Sequence, residues 1–217
     1  MRPPSVRPVP RRPARRAARA VEASPPAPPS SSRTADTVLD VAERLIQIRG
    51  FQGVSYADIA VEVGVTTASL HYHFPGKADL GLALVERYRA RFTAALQGIE
   101  RREPSAIGRL AGCARIYLDV LDTGRMCLCG MLAAEHSTLP APMRRGVRAF
   151  FDAEDRWVAG VLERGRKQGE LAFEGTPGDA ARLWTSSLEG AMLLAKACGD
   201  RTRLAVAIER LLAELAP

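Results

Sequence analysis

The chain of 217 residues has few of the features that mark secreted, membrane-spanning or disulfide-stabilised proteins. Four cysteines in a chain of this length do not make a disulfide framework, which favours a reducing compartment. No apolar run reaches the length of a membrane span, and the first residues contain no apolar signal core. We therefore expect a cytoplasmic protein with no membrane partner.

The sequence also lacks the short motifs of common enzymes. It contains no hydrolase nucleophile elbow, no phosphate-binding glycine loop and no zinc-protease pattern. An enzyme would have to combine Cys127 or Cys129 with His136 by distant packing, which leaves a Cys/His enzyme as a remote alternative. The expectation is a protein that is not an enzyme and that uses no cofactor.

The excess of positive charge is confined to one end of the chain. Residues 1–33 hold eight arginines and one glutamate, together with nine of the 15 prolines and no aromatic residue. The remaining chain is neutral, with 23 basic and 23 acidic residues. A segment of this composition cannot bury enough surface to fold, so we predict a disordered arm over residues 1–33. The arm either attracts DNA phosphates or is a plain solvated extension.

Beyond the arm, apolar residues recur with the period of an α-helix. The first such stripe includes Val38, Val41, Ala42, Leu45 and Ile46, and Gly50 ends it. Similar stripes follow to the end of the chain, and no strand pattern interrupts them. The periodicity predicts an all-α protein of about nine helices, with helix 4 over about 78–99, helix 8 over about 178–198 and helix 9 over about 202–215.

Residues 54–80 combine two short helices with a tight turn between them. Ser55 and Asp58 have the spacing of a helix start, Gly64 can end that helix in a left-handed conformation, and Thr66 caps the next. Small polar residues at the front of the second helix, followed by aromatic donors, suit close approach to a major groove. We interpret the segment as a helix-turn-helix that reads DNA. A generic packed helical hairpin is the alternative.

These residues resemble the DNA-binding domain of the TetR family of bacterial transcriptional regulators. The matching pieces are IRGFQGVS, DIA, GVT and LHYHFPGKADL. The resemblance implies a helix-turn-helix DNA-binding domain over residues 34–80 and a helical ligand-binding and dimerisation domain over residues 81–217. The sequence departs from the commoner family pattern at Ala68 and His71, where Gly and Tyr are frequent.

The resemblance assigns two groups of residues to the DNA operator. The first group would meet bases or phosphates, and consists of Thr66, Thr67, Ser69, His71 and Tyr72. The second group would anchor the sugar-phosphate backbone, and consists of Ser55, Tyr56, His73 and Lys77. A cation at the start of a helix is unfavourable because it lies at the positive end of the helix dipole. The position of Lys77 is explained if a DNA phosphate lies nearby. A plain solvated lysine is the alternative.

The resemblance also implies partners and a mode of action. A reader of a two-fold operator needs two copies, so a homodimer through helices 8 and 9 is expected, the alternative being that these helices only close a monomer core. The implied function is that of a repressor that leaves its operator when a small molecule enters the second domain.

Residues that would line an effector cavity are aromatic or sulfur-containing, or lie at the end of the sixth helix. They are Tyr117, Met126, Cys127, Met131, Glu135, His136, Phe151 and Trp184. Each of them is equally interpretable as an ordinary core or helix-end residue.

Two pairs of sulfur or imidazole side chains invite further hypotheses. Cys127 and Cys129 would form an oxidant- or electrophile-sensing switch if the pKa of one thiol were lowered, by Arg125 or by a helix start. Two buried core cysteines are the simpler interpretation. Residues two apart on a helix point in different directions, so neither this pair nor His71 and His73 can chelate one ion, and we expect no metal site.

Overall fold

The structure is a computed structural model that describes residues 31–217. The predicted arm therefore lies outside the described residues, except for its last three positions. Those positions belong to the first helix, which begins at Ser31 rather than near residue 34.

All regular structure within the described residues is helical, and the all-α prediction with about nine helices is confirmed. The helices are α1 Ser31–Arg49, α2 Tyr56–Val63, α3 Thr67–His73, α4 Lys77–Arg102, α5 Ala106–Asp122, α6 Leu128–Ala134, α7 Ala141–Lys167, α8 Pro177–Cys198 and α9 Thr202–Ala213. A short 3-10 turn, His136–Thr138, follows α6. None of the described helices combines the length and the apolar character needed to cross a membrane.

The ends of α2 and α3 follow from the side chains that the sequence places there. The Ser55 hydroxyl accepts a hydrogen bond from the Asp58 backbone amide at 3.2 Å, while the Asp58 carboxylate accepts one from the Ser55 amide at 2.7 Å. Gly64 ends α2 with φ at 76°, which costs a glycine little. The Thr66 hydroxyl accepts from the Ser69 amide at 3.2 Å and so caps α3.

Helix α4 joins a small amino-terminal bundle to a larger carboxy-terminal one. Its first turns bury Leu80 against α1–α3, and its later turns bury Tyr88 and Phe92 beside Phe150 of α7. The larger bundle is formed by α5, α7, α8 and α9, with α6 against α7. The long helix therefore links both cores, as the sequence periodicity suggests.

Helix α6 is shorter than the sequence predicts. The pattern before Pro140 favours one continuous helix, but α6 ends at Ala134 and the chain turns at Glu135, with φ at −98° and ψ at 14°. The Glu135 side chain is held by backbone amides of the amino-terminal bundle. This tertiary contact accounts for the break, and no local sequence pattern encodes it.

Candidate DNA-binding surface and effector cavity

Helix α3 presents one face to solvent and buries the other. Leu70 is completely buried and Phe74 is 9% exposed, so these two residues fix the helix on α1 and α2. Tyr72, on the opposite face, is 80% exposed, and Thr67 in the first turn is also exposed. The arrangement leaves the front of α3 free to enter a groove, which is the geometry that a recognition helix requires.

Two aromatic side chains brace the second half of α3. The Tyr56 hydroxyl donates to the Phe74 carbonyl oxygen at 2.8 Å, and burial raises the pKa of Tyr56 to about 12. His71 Nδ1 lies 3.0 Å from the Pro75 carbonyl oxygen, and its ring centroid is 4.7 Å from that of Tyr56. Tyr56 therefore uses its hydroxyl proton inside the domain and has only acceptor capacity left for DNA-bound water or amides.

Lys77 lies at the first position of α4, close to this surface. Its Nζ atom is 4.6 Å from the ring centroid of Phe51, and the side chain is half-buried. Burial lowers the pKa of Lys77, while the carboxylates of Glu135 and Asp58 oppose that shift. The Phe51 ring contacts the ammonium and the two carboxylates favour its charged form, while its contact with a phosphate stays a prediction.

The nine residues that sequence analysis assigns to DNA lie together on α2, α3 and the start of α4. Those with exposed side chains are Ser55, Thr66, Thr67, His71 and Tyr72, and those that are half-buried are Tyr56, Ser69, His73 and Lys77. We call this set the reader surface. Several of its members have a second task, because they also cap helices or brace α3.

Glu135 connects α6 to the amino-terminal bundle. Its Oε1 atom accepts from the Phe51 amide at 2.8 Å, and its Oε2 atom accepts from the Gln52 amide at 3.0 Å. A Cβ atom at Gly50 would lie 2.1 Å from Glu135 Oε1, so the glycine makes room for the carboxylate. This corrects the expectation that Glu135 orients an effector, because both of its oxygens are engaged at the junction.

Other contacts reinforce the same junction. The Gln47 carbonyl oxygen accepts from the Met126 amide at 3.2 Å, which ties the end of α1 to the segment before α6. Glu43 of α1, 6% exposed, forms ion pairs with Arg87 and Arg91 of α4. We call the contacts of Glu135, Gln47 and Glu43 the joint. Any displacement of α4 or α6 therefore acts directly on α1.

A small cavity lies inside the carboxy-terminal bundle. This inner cavity, of about 10 Å³, is lined by Tyr88, Phe92, Ile116, Tyr117, Val120, Cys127 and Met192. A larger outer groove, of about 570 Å³, lies between α1, α4 and α5 and shares four of these residues, namely Tyr88, Phe92, Ile116 and Val120. These four side chains therefore form a wall that the groove and the cavity share.

The remaining effector candidates lie elsewhere. His136 is exposed on the 3-10 turn, which corrects its expected place in a cavity. Met131 is half-buried, and its methyl group points towards Gly50 at the joint. Trp184 lines a separate pocket of about 340 Å³ between α8 and α9. Of the last two residues, Met126 is a core residue at 4% exposed, and Phe151 is half-buried and packs edge-on against its neighbour Phe150.

Both halves of the chain match models of one family. Residues 38–84 match the model described as bacterial regulatory proteins, tetR family, and residues 106–211 match the tetracyclin repressor-like, C-terminal domain. A solved TetR-family regulator from Agrobacterium tumefaciens is 33% identical, with a TM-score of 0.84, over 87% of this chain and all of its own. The chain belongs to the TetR family. It is thus a ligand-responsive transcriptional regulator that binds DNA through a helix-turn-helix.

Other relatives of this TetR-family chain are also described as regulators. The transcriptional regulator AcuR of Cereibacter sphaeroides is 29% identical over 157 residues, which are 68% of this chain and 69% of that protein. The reduced form of Escherichia coli NemR is 25% identical, with a TM-score of 0.75, over 85% of this chain and 97% of its own. Both likenesses extend over the two domains rather than over the reader alone.

Two carboxyl groups in the TetR-family core are not among the residues predicted from the sequence. Glu154 of α7 is fully buried, and the Tyr117 hydroxyl donates to its carboxyl group, with 2.8 Å and 2.9 Å to the two oxygens. Burial raises the pKa of Glu154 to about 8 and that of Glu189 in α8 to about 7. The sequence does indicate that Glu154 is buried, because it lies four residues from both Phe150 and Val158 in an apolar stripe.

The cysteines of this core lack the environment that a reactive thiol needs. Cys127 is 3% exposed and Cys129 is fully buried. Burial, together with the carboxylate of Glu189, raises the pKa of the Cys127 thiol well above its usual range. Arg125 points away, donating to Thr123 at 2.7 Å and to Gln47 at 3.4 Å. The Gly130 amide at the start of α6 donates to Cys127 Sγ and opposes this shift, but burial outweighs it, which corrects the expectation of a lowered thiol pKa.

Proposed function

We propose that two copies of this regulator pair through α8 and α9 and place their two α3 helices on a two-fold operator. Residues 34–80 would bind the DNA, and residues 81–217 would form the dimer and take up the effector. The observation that carries the proposal is the reader surface, because a capped and braced α3 exposes small polar side chains at its front and Tyr72 behind them.

The pairing of α8 and α9 is supported by apolar side chains that the single chain leaves in solvent. Leu183, Leu193 and Leu194 of α8 are 60%, 54% and 53% exposed, and Val206 of α9 is 53% exposed. Large apolar side chains concentrated on two adjacent helices are typical of a surface that a partner covers. A second copy of the chain is the partner that a two-fold operator calls for.

Within this scheme each reader residue has a defined role. Thr66, Thr67, Ser69, His71 and Tyr72 would approach bases or phosphates. Ser55, Tyr56, His73 and Lys77 would fix the domain on the sugar-phosphate backbone, which sets position but not sequence. The described part of the reader has little excess charge, so a few well-placed donors must supply the affinity.

Release by a small molecule follows from the joint. An effector that separates α4 from α5 or moves α6 would displace Glu43, Gln47 or Glu135, and hence α1 and the reader. The effector must bind the DNA-incompetent arrangement more tightly than the competent one, because only differential affinity shifts such an equilibrium. Repression lifted by that effector is the resulting mode of action.

The proposal is tested by a gel-shift assay with the DNA upstream of the protein's own gene, at two salt concentrations and with competitor DNA. A discrete shift that survives competitor is expected for the wild type. Thr67→Ala and Tyr72→Ala should lose it while keeping their helical circular dichroism, because both side chains are exposed. Asp119→Ala, an exposed change on α5, is the matched control. Diffuse binding that salt erases would contradict a specific reader.

The dimer is tested separately by sedimentation. Leu193→Asp and Leu194→Asp place a charge on the proposed interface and should yield monomers that no longer give the discrete shift. If either variant sediments as the wild type does and binds the operator equally well, the α8 and α9 interface is contradicted while the reader assignment stands.

A further inference from the structure

Two carboxyl groups meet in the core of the effector domain without a cation to pair with. Glu154 comes from α7 and Glu189 from α8, and a charge on Glu189 disfavours a charge on Glu154. Within residues 31–217, no ion pair joins either carboxyl group to a lysine or an arginine. An isolated buried carboxylate is costly, so such a pair requires a specific explanation.

Glu189 is the less satisfied of the two. Its Oε1 atom is buried and makes no hydrogen bond to any described residue. The single Tyr117 proton goes to Glu154, while the Cys127 thiol accepts from the Tyr88 hydroxyl at 3.7 Å and keeps its own proton as a weak donor beside Glu189. The side chain is half-buried, and its neighbours Tyr117 and Cys127 line the inner cavity. A thiol is a weak donor, and Oε1 has no partner among the described residues, so an N–H donor would complete the hydrogen bonding of this carboxyl group.

The backbone around Glu189 is built to accommodate its carboxyl group. A Cβ atom on Gly130 of α6 would lie 2.3 Å from Glu189 Oε2 and 3.0 Å from its Cδ atom. A side chain at residue 130 would therefore crowd the carboxyl group unless Glu189 moved. The Gly130 amide donates to Cys127 Sγ at 3.4 Å, so it is not available to Glu189.

Glu189 lines neither the outer groove nor the inner cavity, so a molecule entering from the groove would reach it only by displacing side chains. The groove is lined by apolar and polar side chains, and Tyr88, Phe92, Ile116 and Val120 form the wall that it shares with the inner cavity. The inner cavity of about 10 Å³ holds no more than a single water-sized group. A small molecule with an apolar body in the groove and a compact polar head would have to displace the wall to reach Glu189.

We propose that the effector of this regulator carries a protonated amine or amidine, with Glu189 as its counter-ion and Glu154 as the second acceptor. This inference rests on the proposed effector regulation and adds the chemical class of the molecule. A cation with N–H donors satisfies the orphan oxygen and removes the cost of a buried negative charge in one step. Because its body would move Tyr88 of α4, it acts on the same helix that Glu43 holds through Arg87 and Arg91.

The experiment uses the full-length protein without DNA, so that it is independent of the operator. Benzylamine, 4-phenylbutylamine and benzamidine are the cationic probes, with benzyl alcohol and benzoate as the neutral and anionic controls. Thermal unfolding and calorimetry are recorded for the wild type and Glu189→Gln, with Glu163→Gln, an exposed change on α7, as the control. At least one cation should raise the wild-type melting temperature, and Glu189→Gln should weaken its binding about tenfold or more, as expected for a lost charge-assisted hydrogen bond.

A second variant guards against a general effect of the Glu189 substitution on the fold. Gly130→Ala keeps both carboxyl groups but crowds Glu189, so it should also weaken the binding of the cation, with the helical circular dichroism of the wild type. Two groups of results would overturn the proposal: no response of the wild type to any of the three cations, or equal responses of wild type and Glu189→Gln. Binding of a cation that leaves the gel-shift unchanged supports the site and instead contradicts its coupling to DNA release.

Discussion

The reader surface and the effector core use polar side chains in opposite ways. In the reader, Ser55, Asp58 and Thr66 satisfy backbone amides at helix ends and remain in contact with solvent. In the core, Glu154 is fully buried and Glu189 is half-buried, and one oxygen of Glu189 is buried without a partner among the described residues. The helix-end groups of the reader specify local structure. The core carboxyl groups carry an unfavourable desolvation free energy, which a ligand that supplies hydrogen bonds would reduce.

This difference gives the carboxyl groups of the two regions opposite pKa shifts. Hydrogen bonds from Ser55 lower the pKa of Asp58, so its charged form is favoured in the folded state. Burial raises the pKa of Glu154 to about 8, so its protonated form is favoured there. Stability conferred by Asp58 is present above its ordinary pKa and is lost as the pH falls through the lowered value. Stability conferred by protonated Glu154 behaves in the reverse sense.

The largest expected effect comes from removing the core carboxyl group with Glu154→Gln. The stability that this group confers is complete below its ordinary pKa of 4.5 and is lost as the pH rises through about 8. Wild-type stability should therefore fall between these values, by up to about 1.4 kcal/mol per pH unit for one proton. Glu154→Gln keeps an acceptor for Tyr117 and should lose the part of this dependence that Glu154 contributes, leaving a smaller fall between pH 4.5 and about 7 from Glu189, as measured by urea unfolding across the pH range.

The matched control for that series lies in the reader. Asp58→Asn should leave the loss of stability between pH 4.5 and 8 unchanged, because the lowered pKa of Asp58 places its own dependence at more acidic pH. Two results would contradict the assignment of this pH dependence to the core: Glu154→Gln keeps the full wild-type change of unfolding free energy with pH between 4.5 and 8, or Asp58→Asn removes it.

The joint between the two regions should show the next largest effect. Glu135→Ala leaves the Phe51 and Gln52 amides without their acceptor, and the partly buried Phe51 amide has the greater desolvation cost. We expect a loss of about 1–3 kcal/mol in the free energy of unfolding. Operator affinity should also respond less to effector, because one of the connections between α6 and the reader is removed.

Glu135→Gln gives an intermediate test of the same contact. It keeps one carbonyl oxygen as an acceptor and should retain roughly half of the lost stability, whereas Glu163→Ala on the exposed face of α7 should have little effect. A Glu135→Ala protein as stable as Glu163→Ala, and with unaltered effector response, would remove the joint from the mechanism.

The same contrast explains how much the sequence predicts. Helix caps such as Ser55 and Thr66 act on residues three or four positions away. Their roles can therefore be predicted from sequence spacing alone, and the structure confirms them. The contacts of Glu135 cannot be predicted from sequence spacing, because its hydrogen-bond partners are more than 80 residues away along the chain. Glu154 is an intermediate case, since its position in an apolar stripe indicates burial but not the nature of its neighbours.

A smaller effect, on DNA binding alone, is expected for Lys77→Ala. If the ammonium above Phe51 contacts a phosphate, its removal weakens binding to all sequences and reduces the salt-dependence slope by about one unit. Fluorescence anisotropy over a range of salt concentrations measures the slope. Lys167→Ala, which removes an exposed lysine on α7, should leave it unchanged. An unaltered slope for Lys77→Ala would place the lysine outside the DNA contact.

The smallest effect is expected for Cys127→Ser, which tests whether the core also senses oxidants or electrophiles. Burial raises the pKa of the Cys127 thiol, so it stays protonated and unreactive, and a serine hydroxyl can still accept from the Gly130 amide. In the native protein a thiol reagent should modify Cys198, which is exposed, and reach the other three cysteines only after unfolding. Cys127→Ser should therefore keep the wild-type response of operator binding to an oxidant, as should Cys129→Ser. Rapid native labelling of Cys127, or loss of an oxidant response in its serine variant, would show that the core opens readily enough to act as a thiol switch.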